Sequence, residues 1–442
     1  MTRPMDSRFL PSLCAGCRRI PLLIFVMTLF SVLGTYLNGQ EIDSSQEESW
    51  SRFRGVGGLG VLEFPADTAV RFPQEATWKA KLAGAGNGSP VIFQQRVFVQ
   101  SADAKTATQF LHCFDLQTGA EVWTKHFVGE THATHAWGSL ASSTPSVDSD
   151  RIYFCWGSPG HTHLAACTHE GKLVWQRDLG PNRFEHGFGS SPTLVDGRLI
   201  FFHSQDATDQ ELAPKFSRML ALDPKSGATI WETPLEKTTR VCYGVPVEVR
   251  LPTGKAGILA ADTGHGIFCL DAETGKLLWE QPVIKQRAVS GAMAVGDMAL
   301  ASSGSGGGGN QLVAIRMSDQ QEIYRMTRNA NYVPMPVVVG QKLFVANDKG
   351  ILSCCDLASG EVLQQQRLDE RRFNISSSLV AFGSLLLVLS DEGQLKIVTA
   401  DVDLKNLQTI ELGEPTRATP ALSPQGVVLR TDTQLHGFRI TP

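Results

Sequence analysis

From Glu75 onward, short apolar runs alternate with polar turns in a unit that repeats along the chain. A strand opens after Ser-Pro or Thr-Pro, and a second apolar strand follows. A third runs into an Asp-x-x-Thr-Gly turn, and a fourth ends near Trp. The openers are Ser89-Pro90, Thr144-Pro145, Ser191-Pro192, Val245-Pro246, Met335-Pro336 and Thr419-Pro420, with Gly291-Ala292 and Ser377-Ser378 standing in for two more. The turn is clearest from Asp271 to Trp279. Asp271 can fold its carboxylate onto the following backbone N–H groups, and Gly275 supplies the positive φ of a tight hairpin. The same string runs from Asp115 through Gly119 to Trp123, and from Asp223 through Gly227 to Trp231. Gly171 leads to Trp175 without the Asp, and Asp356 with Gly360 leads to Leu363.

The closing positions are Trp78, Trp123, Trp175, Trp231, Trp279, Tyr324, Leu363 and Ile410, about 47 residues apart. Four strands at that spacing predict a propeller blade. The last unit lacks a fourth strand, while Thr77 to Leu82 is a fourth strand with nothing before it. Pairing the two closes the ring without an open sheet edge. The expectation is therefore an all-β, eight-bladed β-propeller over residues 75–442, with seven blades as the alternative count.

Ahead of the pattern, Arg3, Arg8, Arg18 and Arg19 precede an apolar run from Ile20 to Leu37, and acidic sequence follows. That order marks residues 1–40 as an export signal cleaved near Gly39, or as an uncleaved membrane anchor. Residues 41–74 read as a linker with a short preamble, Trp50 to Gly60. Net charge is −4, which gives no electrostatic reason to expect nucleic acid.

The Asp-x-x-Thr-Gly-x-x-x-Trp string resembles the tryptophan-docking repeat of the quinoprotein, or PQQ-repeat, propellers. That family includes PQQ-dependent alcohol dehydrogenases and BamB-like non-enzymatic propellers of the outer-membrane β-barrel assembly machine. Trp50 to Gly60, Ser142 to Pro145 and Leu179 to Pro181 further resemble exported planctomycete PQQ-like proteins. The resemblance implies a quinoprotein alcohol dehydrogenase-like fold, with each Trp packed on the next blade near the turn glycine.

The resemblance also makes Cys354-Cys355 a candidate, since the dehydrogenases carry an adjacent-cysteine disulfide over the quinone. Register argues otherwise: Cys354 occupies the third-strand slot that Cys113, Ala166, Ala221, Cys269 and Ala314 fill elsewhere, so core thiols are expected. His132, His135, His161, His163, His169 and His186 cluster in sequence without the helical context of a zinc site, and no metal site is expected.

The loops before the openers should converge on the ring axis, where propeller ligands bind. They carry His135, Trp137, His186, Arg240, Tyr243, Arg287, Asn331, Tyr332, Arg372 and Arg417, with Asn87, Glu185 and Asn374 beside them. Four arginines from four blades suggest a positive funnel for carboxylates or phosphates, against the plainer reading of solvated loops. The leading functional reading is an exported, non-catalytic binding or scaffold propeller of the periplasm or cell envelope, with a protein partner or an anionic or carbohydrate ligand. It expects no cofactor. The alternatives are a PQQ-dependent oxidoreductase using Ca²⁺, for which Glu185, Asn331 and Trp137 are merely of the right types, or a carbohydrate-related surface protein.

Overall fold

The computed structural model describes residues 50–64, 71–132, 134–206 and 216–440. The signal or anchor expected over residues 1–40 lies outside them. The described chain folds into eight antiparallel blades of four strands, one of them extended by a fifth, parallel strand, and numbered here by their inner strands. Blades 1 to 7 open at Val91–Phe93, Ser146–Val147, Thr193–Val195, Val247–Arg250, Ala292–Val295, Val337–Val339 and Val380–Phe382. Blade 8 takes its three inner strands from the C-terminal end, starting at Ala421–Ser423, and its outer strand, Trp78–Lys81, from the N-terminal side. Trp78 lies opposite Gly437 and Lys81 opposite Gln434, so the ring closes as expected.

The closing hairpin explains why the unit repeats. The Asp271 carboxylate accepts from the Thr274 N–H and hydroxyl, both at 2.8 Å, and Gly275 turns the chain at φ 74°. Asp115, Asp223 and Asp356 hold their turns the same way. Four of the closing Trp residues then dock on the turn of the next blade. The indole N–H groups of Trp78, Trp123, Trp175 and Trp231 donate to the carbonyls of Leu116, His169, Pro224 and Ala272. A Cβ on Gly275 would stand 2.5 Å from the Trp231 ring, so the turn glycine also makes room for the docked indole. Burying that ring contributes on the order of 2–3 kcal/mol per blade.

Across the strand pair the slot opposite the aromatic residue stays small: Cys113 faces Trp123, Ala221 faces Trp231 and Cys269 faces Trp279. Cys354 faces Gln364, four residues past Gly360, and in blade 7 Ile397 faces Gln408. The closing positions expected at Leu363 and Ile410 are therefore corrected to Gln364 and Gln408. Leu363 misleads because it is apolar yet points outward, 46% exposed.

The core lies between blades, in clusters such as the one joining Ile200, Phe268 and Val313 of blades 3, 4 and 5. The openers have a second use that their Pro does not explain. The backbone N–H of each one donates to the hydroxyl of the next: Met335 to Ser378, Ser378 to Thr419, Thr419 to Ser89, Ser89 to Thr144, and Thr144 to Ser191, at 2.9–3.1 Å. This relay links blades 6, 7, 8, 1, 2 and 3 around the axis and crosses the closure seam. Between blades 4 and 5, where hydroxyls are missing, Gly244 and Gly291 bring the backbones together instead.

The stretch expected as a preamble is part of the ring. Trp50, 3% exposed, pairs antiparallel with Ile92 of blade 1 through two backbone bonds. The chain turns through Gly55 to Gly60, and Val61–Leu62 returns parallel to Ala381 and Phe382 of blade 7. Trp50 to Leu62 thus forms a hairpin against the inner strands. It runs up toward the loop-bearing end of the ring and back again.

Arg52 donates to the Pro246 carbonyl of blade 4. The buried Arg54 donates to Gly58 and Leu59 of its own turn, to Met335 and Pro336 of blade 6, and to Leu379 of blade 7. Burial pushes Arg54 down to about 9, still charged at neutral pH. Its charge is spread over five carbonyls rather than paired with a carboxylate. Trp50 to Leu62, within the stretch read as linker and preamble, thus packs on the inner strands of blades 1 and 7.

Candidate functional site

The loops that precede the inner strands gather at one end of the ring, opposite the Asp-x-x-Thr-Gly turns. Carboxylates at the ends of the second strands shape them. Asp206 accepts from the backbone N–H of Glu185 and Val241, at 2.7 and 2.8 Å. Asp348 accepts from Tyr332 and Val333, and Asp391 from Ser376. The acidic residue that follows a second strand had no assigned role in the sequence, yet it holds the neighbouring loops in place. Burial raises Asp348 and Asp391 above the usual carboxylate range.

Most of the predicted residues meet in one cluster over blades 2 to 6. Glu185, on the loop before blade 3, reaches Arg287, before blade 5, at 2.9 Å. This pair reaches over the blade between them. Arg240 stands 3.9 Å from the same Glu185 oxygen and His186 stands 3.8 Å from it. The His186 ring lies 4.8 Å from His135, and His135 meets Trp137 edge-on at 5.6 Å. Asn87 donates to the Trp137 carbonyl at 2.9 Å. Tyr243 donates to the Gly187 carbonyl, and burial raises both it and Tyr332, whose side chains face Arg287. The Arg287 hydrogen bond, then the charges of His186 and Arg287, hold Glu185 below the usual range. Burial, then Arg287, lowers His186.

Three predicted residues stand apart. Asn331 is fully buried, accepting from the Ser302 hydroxyl and donating to the Pro334 carbonyl, which makes it a loop brace. Arg372, 77% exposed, lies 3.5 Å from Glu392, and Arg417 lies 3.6 Å from Asp391. Each of the four arginines expected to form a positive funnel has a carboxylate within 4 Å. The loop face is therefore a lattice of charge pairs rather than a cationic well.

The quinone-and-cation arrangement that the resemblance implies does not fit these residues. Asn331 and Glu185 are committed to other partners. Cys354 and Cys355 are buried free thiols that pack into different inter-blade clusters, on opposite faces of their strand. Burial pushes the Cys355 thiol up to about 12. Among the described residues, no three His, Cys, Asp or Glu side chains are placed to hold a metal ion. Of the remaining histidines, His161 pairs with Asp178 at 2.6 Å on a strand, and His163 stacks on Trp156.

The sequence profile of the family described as outer membrane protein assembly factor BamB matches residues 73–243 and 215–435. Among solved structures, the chain is similar to BamB from Moraxella catarrhalis, at 13% identity over 84% of this chain and 96% of that one, with a TM-score of 0.54. It is similar to the quinohemoprotein alcohol dehydrogenase from Comamonas testosteroni, at 10% identity over 89% and 81%, with a TM-score of 0.62. A computationally designed protein, Ika8, matches at 10% identity over 83% and 100%, with a TM-score of 0.57. At these identities the structural likeness is one of fold. A sequence search of curated proteins finds no match.

Proposed function

We propose, since the chain belongs to the family of outer membrane protein assembly factor BamB, that it is an exported, non-catalytic propeller of the cell envelope that binds a partner or ligand on its loop face. The observation that carries this reading is how the charged groups of that face are used. Glu185 serves Arg287 and Arg240, Asp206 and Asp348 serve backbone N–H groups, and Asp391 serves Ser376 and Arg417. A carboxylate general base must be free of such pairing, whereas a scaffold needs a rigid, polar, exposed surface. The loop face suits the second task. His135, Trp137, Arg240 and Arg372 stand exposed on loops braced from beneath.

Photo-crosslinking from envelope preparations tests the reading. A crosslinkable residue at Trp137, Arg240 or Arg372 should capture one and the same envelope component, while the same probe on the rim at Val122 or Ile230 should not. Capture from the rim alone would overturn the loop-face assignment. Alcohol-dependent dye reduction by the protein supplied with PQQ and Ca²⁺ would overturn the non-catalytic one.

A further inference from the structure

The Glu185–Arg287 pair is incomplete in a specific way. Glu185 takes the Arg287 Nη2 at 2.9 Å through a single oxygen, and the Nε on the same edge of the guanidinium is buried with no hydrogen-bond partner. That edge is a two-pronged fork suited to a carboxylate bound through both oxygens. Arg287 is fixed, only 6% exposed, whereas Glu185 is 58% exposed on its loop. Leaving Arg287 would not strand Glu185, because Arg240 and His186 stand within 4 Å of the same oxygen. A carboxylate that filled the fork would satisfy the orphaned Nε and release a residue that already has other partners.

Two further features narrow the ligand. Asp206 Oδ1 lies 3.8 Å from the Arg287 Nη2, so a doubly charged phosphate meets repulsion that a carboxylate carrying one charge largely avoids. From the fork, the path over His186 and His135 ends at Trp137, 51% exposed. A half-exposed indole offers an apolar face to the C–H side of a sugar ring, and the imidazoles and Tyr243 supply polar edges along the way. The relay is several side chains long, more than a single sugar ring spans.

We propose that the loop face binds a short oligouronide: one carboxylate displaces Glu185 and takes both Nε and Nη2 of Arg287, and a neighbouring ring lies against Trp137. This deepens the loop-face reading above and rests on it. Glu185 then acts as an internal stand-in for the ligand's carboxylate, and apparent affinity is reduced by the fraction of molecules in which it occupies the fork.

The test is a titration of the full chain with trigalacturonate, its methyl ester and inorganic phosphate, read by calorimetry and by indole fluorescence. The acid should bind, and the ester, with the same rings but no charge, should bind at least about tenfold more weakly. Glu185→Gln should tighten the acid about fivefold, the ratio that a pair worth ~1 kcal/mol imposes. Arg287→Gln should abolish binding, Trp137→Ala should remove the fluorescence change, and Arg372→Gln should alter neither. Equal binding of ester and acid, competition by phosphate at matched concentration, or no tightening in Glu185→Gln would each overturn the proposal. No binding of the acid to either the native chain or Glu185→Gln would also overturn it. The crosslinks from the loop face would still be expected in that case, so its failure is distinguishable from failure of the scaffold reading.

Discussion

Arg54 is the residue whose loss should cost the fold most. Its guanidinium donates to five backbone carbonyls, and three of them, Met335, Pro336 and Leu379, belong to blades 6 and 7. These contacts reach blade 6 where the hydroxyl relay has no link from blade 5. In Arg54→Ala those three carbonyls lose a charged donor inside the ring. At about 1–3 kcal/mol for each buried acceptor left unpaired, the gross cost is roughly 3–9 kcal/mol. Part is returned, because a buried charge with no counter-ion no longer has to be desolvated. A net loss of about 3–5 kcal/mol follows, at the upper end for a single substitution.

Arg54→Lys keeps the charge but not the planar fork, and should lose about half as much. Arg372→Ala, whose side chain is 77% exposed, should stay within ~0.5 kcal/mol. Urea unfolding of the three variants gives the ranking. Hydrogen exchange gives the location, because the Ala381 and Gly383 amides bond to the Gly60 and Leu62 carbonyls of the hairpin. If Arg54→Ala costs less than about 1 kcal/mol, or those two amides stay protected in it, the hairpin is not held as described.

Other consequences can be checked with routine measurements. Gly275→Ala places a Cβ 2.5 Å from the Trp231 ring at φ 74°, so it should cost about 2–4 kcal/mol and shift the Trp fluorescence; a silent substitution would contradict the docking account. Ser89→Ala removes the acceptor for Thr419 at the closure seam and should lower stability by about 1–2 kcal/mol in thermal unfolding, with no effect refuting the relay. Cys113, Cys155, Cys167, Cys242, Cys269, Cys354 and Cys355 are free and buried, so none should react with an aromatic disulfide reagent before unfolding, and rapid labelling of Cys354 or Cys355 would count against it. Burial, followed by Arg430, Arg218 and Lys79 respectively, pushes His112 to about 4, His203 to about 3 and His436 to about 4. The native state therefore keeps these rings neutral while the unfolded chain takes up protons below about 6.5, so the melting temperature should fall steadily as pH drops from 6.5 toward 4. A flat profile over that window would show that the rings are not held neutral.

The blades are legible because several of them carry a complete local instruction. Asp271, Gly275 and Trp279 lie within nine residues of one another, and the physics of the turn and of the docked indole acts within that span or one repeat further on. Legibility failed where the signal is non-local. Trp50 to Leu62 has no repeat to compare with, and its partners, Ile92, Pro246, Met335 and Leu379, are 42 to 325 positions away. In the sequence the openers mark strand starts, and only the ring geometry shows Thr419 meeting Ser89 across 330 residues. The register of the blades marks the loop-face arginines but not their carboxylate partners, since Glu185 reaches past one blade to Arg287. Asn331 looked like a ligand-facing amide until its burial under Ser302 and Pro334 was visible.

Whether this ring is a binding propeller or a quinoprotein is tested most directly by titrating the purified chain with PQQ and Ca²⁺, following quinone absorbance and indole fluorescence together. The account predicts no Ca²⁺-dependent one-to-one transition across the micromolar range, because Asn331 is buried on Ser302 and Pro334 and, among the described residues, no three acidic, imidazole or thiol side chains are placed to hold the cation. A one-to-one transition that requires Ca²⁺ and disappears in Arg287→Gln would contradict it, and would make the loop face a cofactor site.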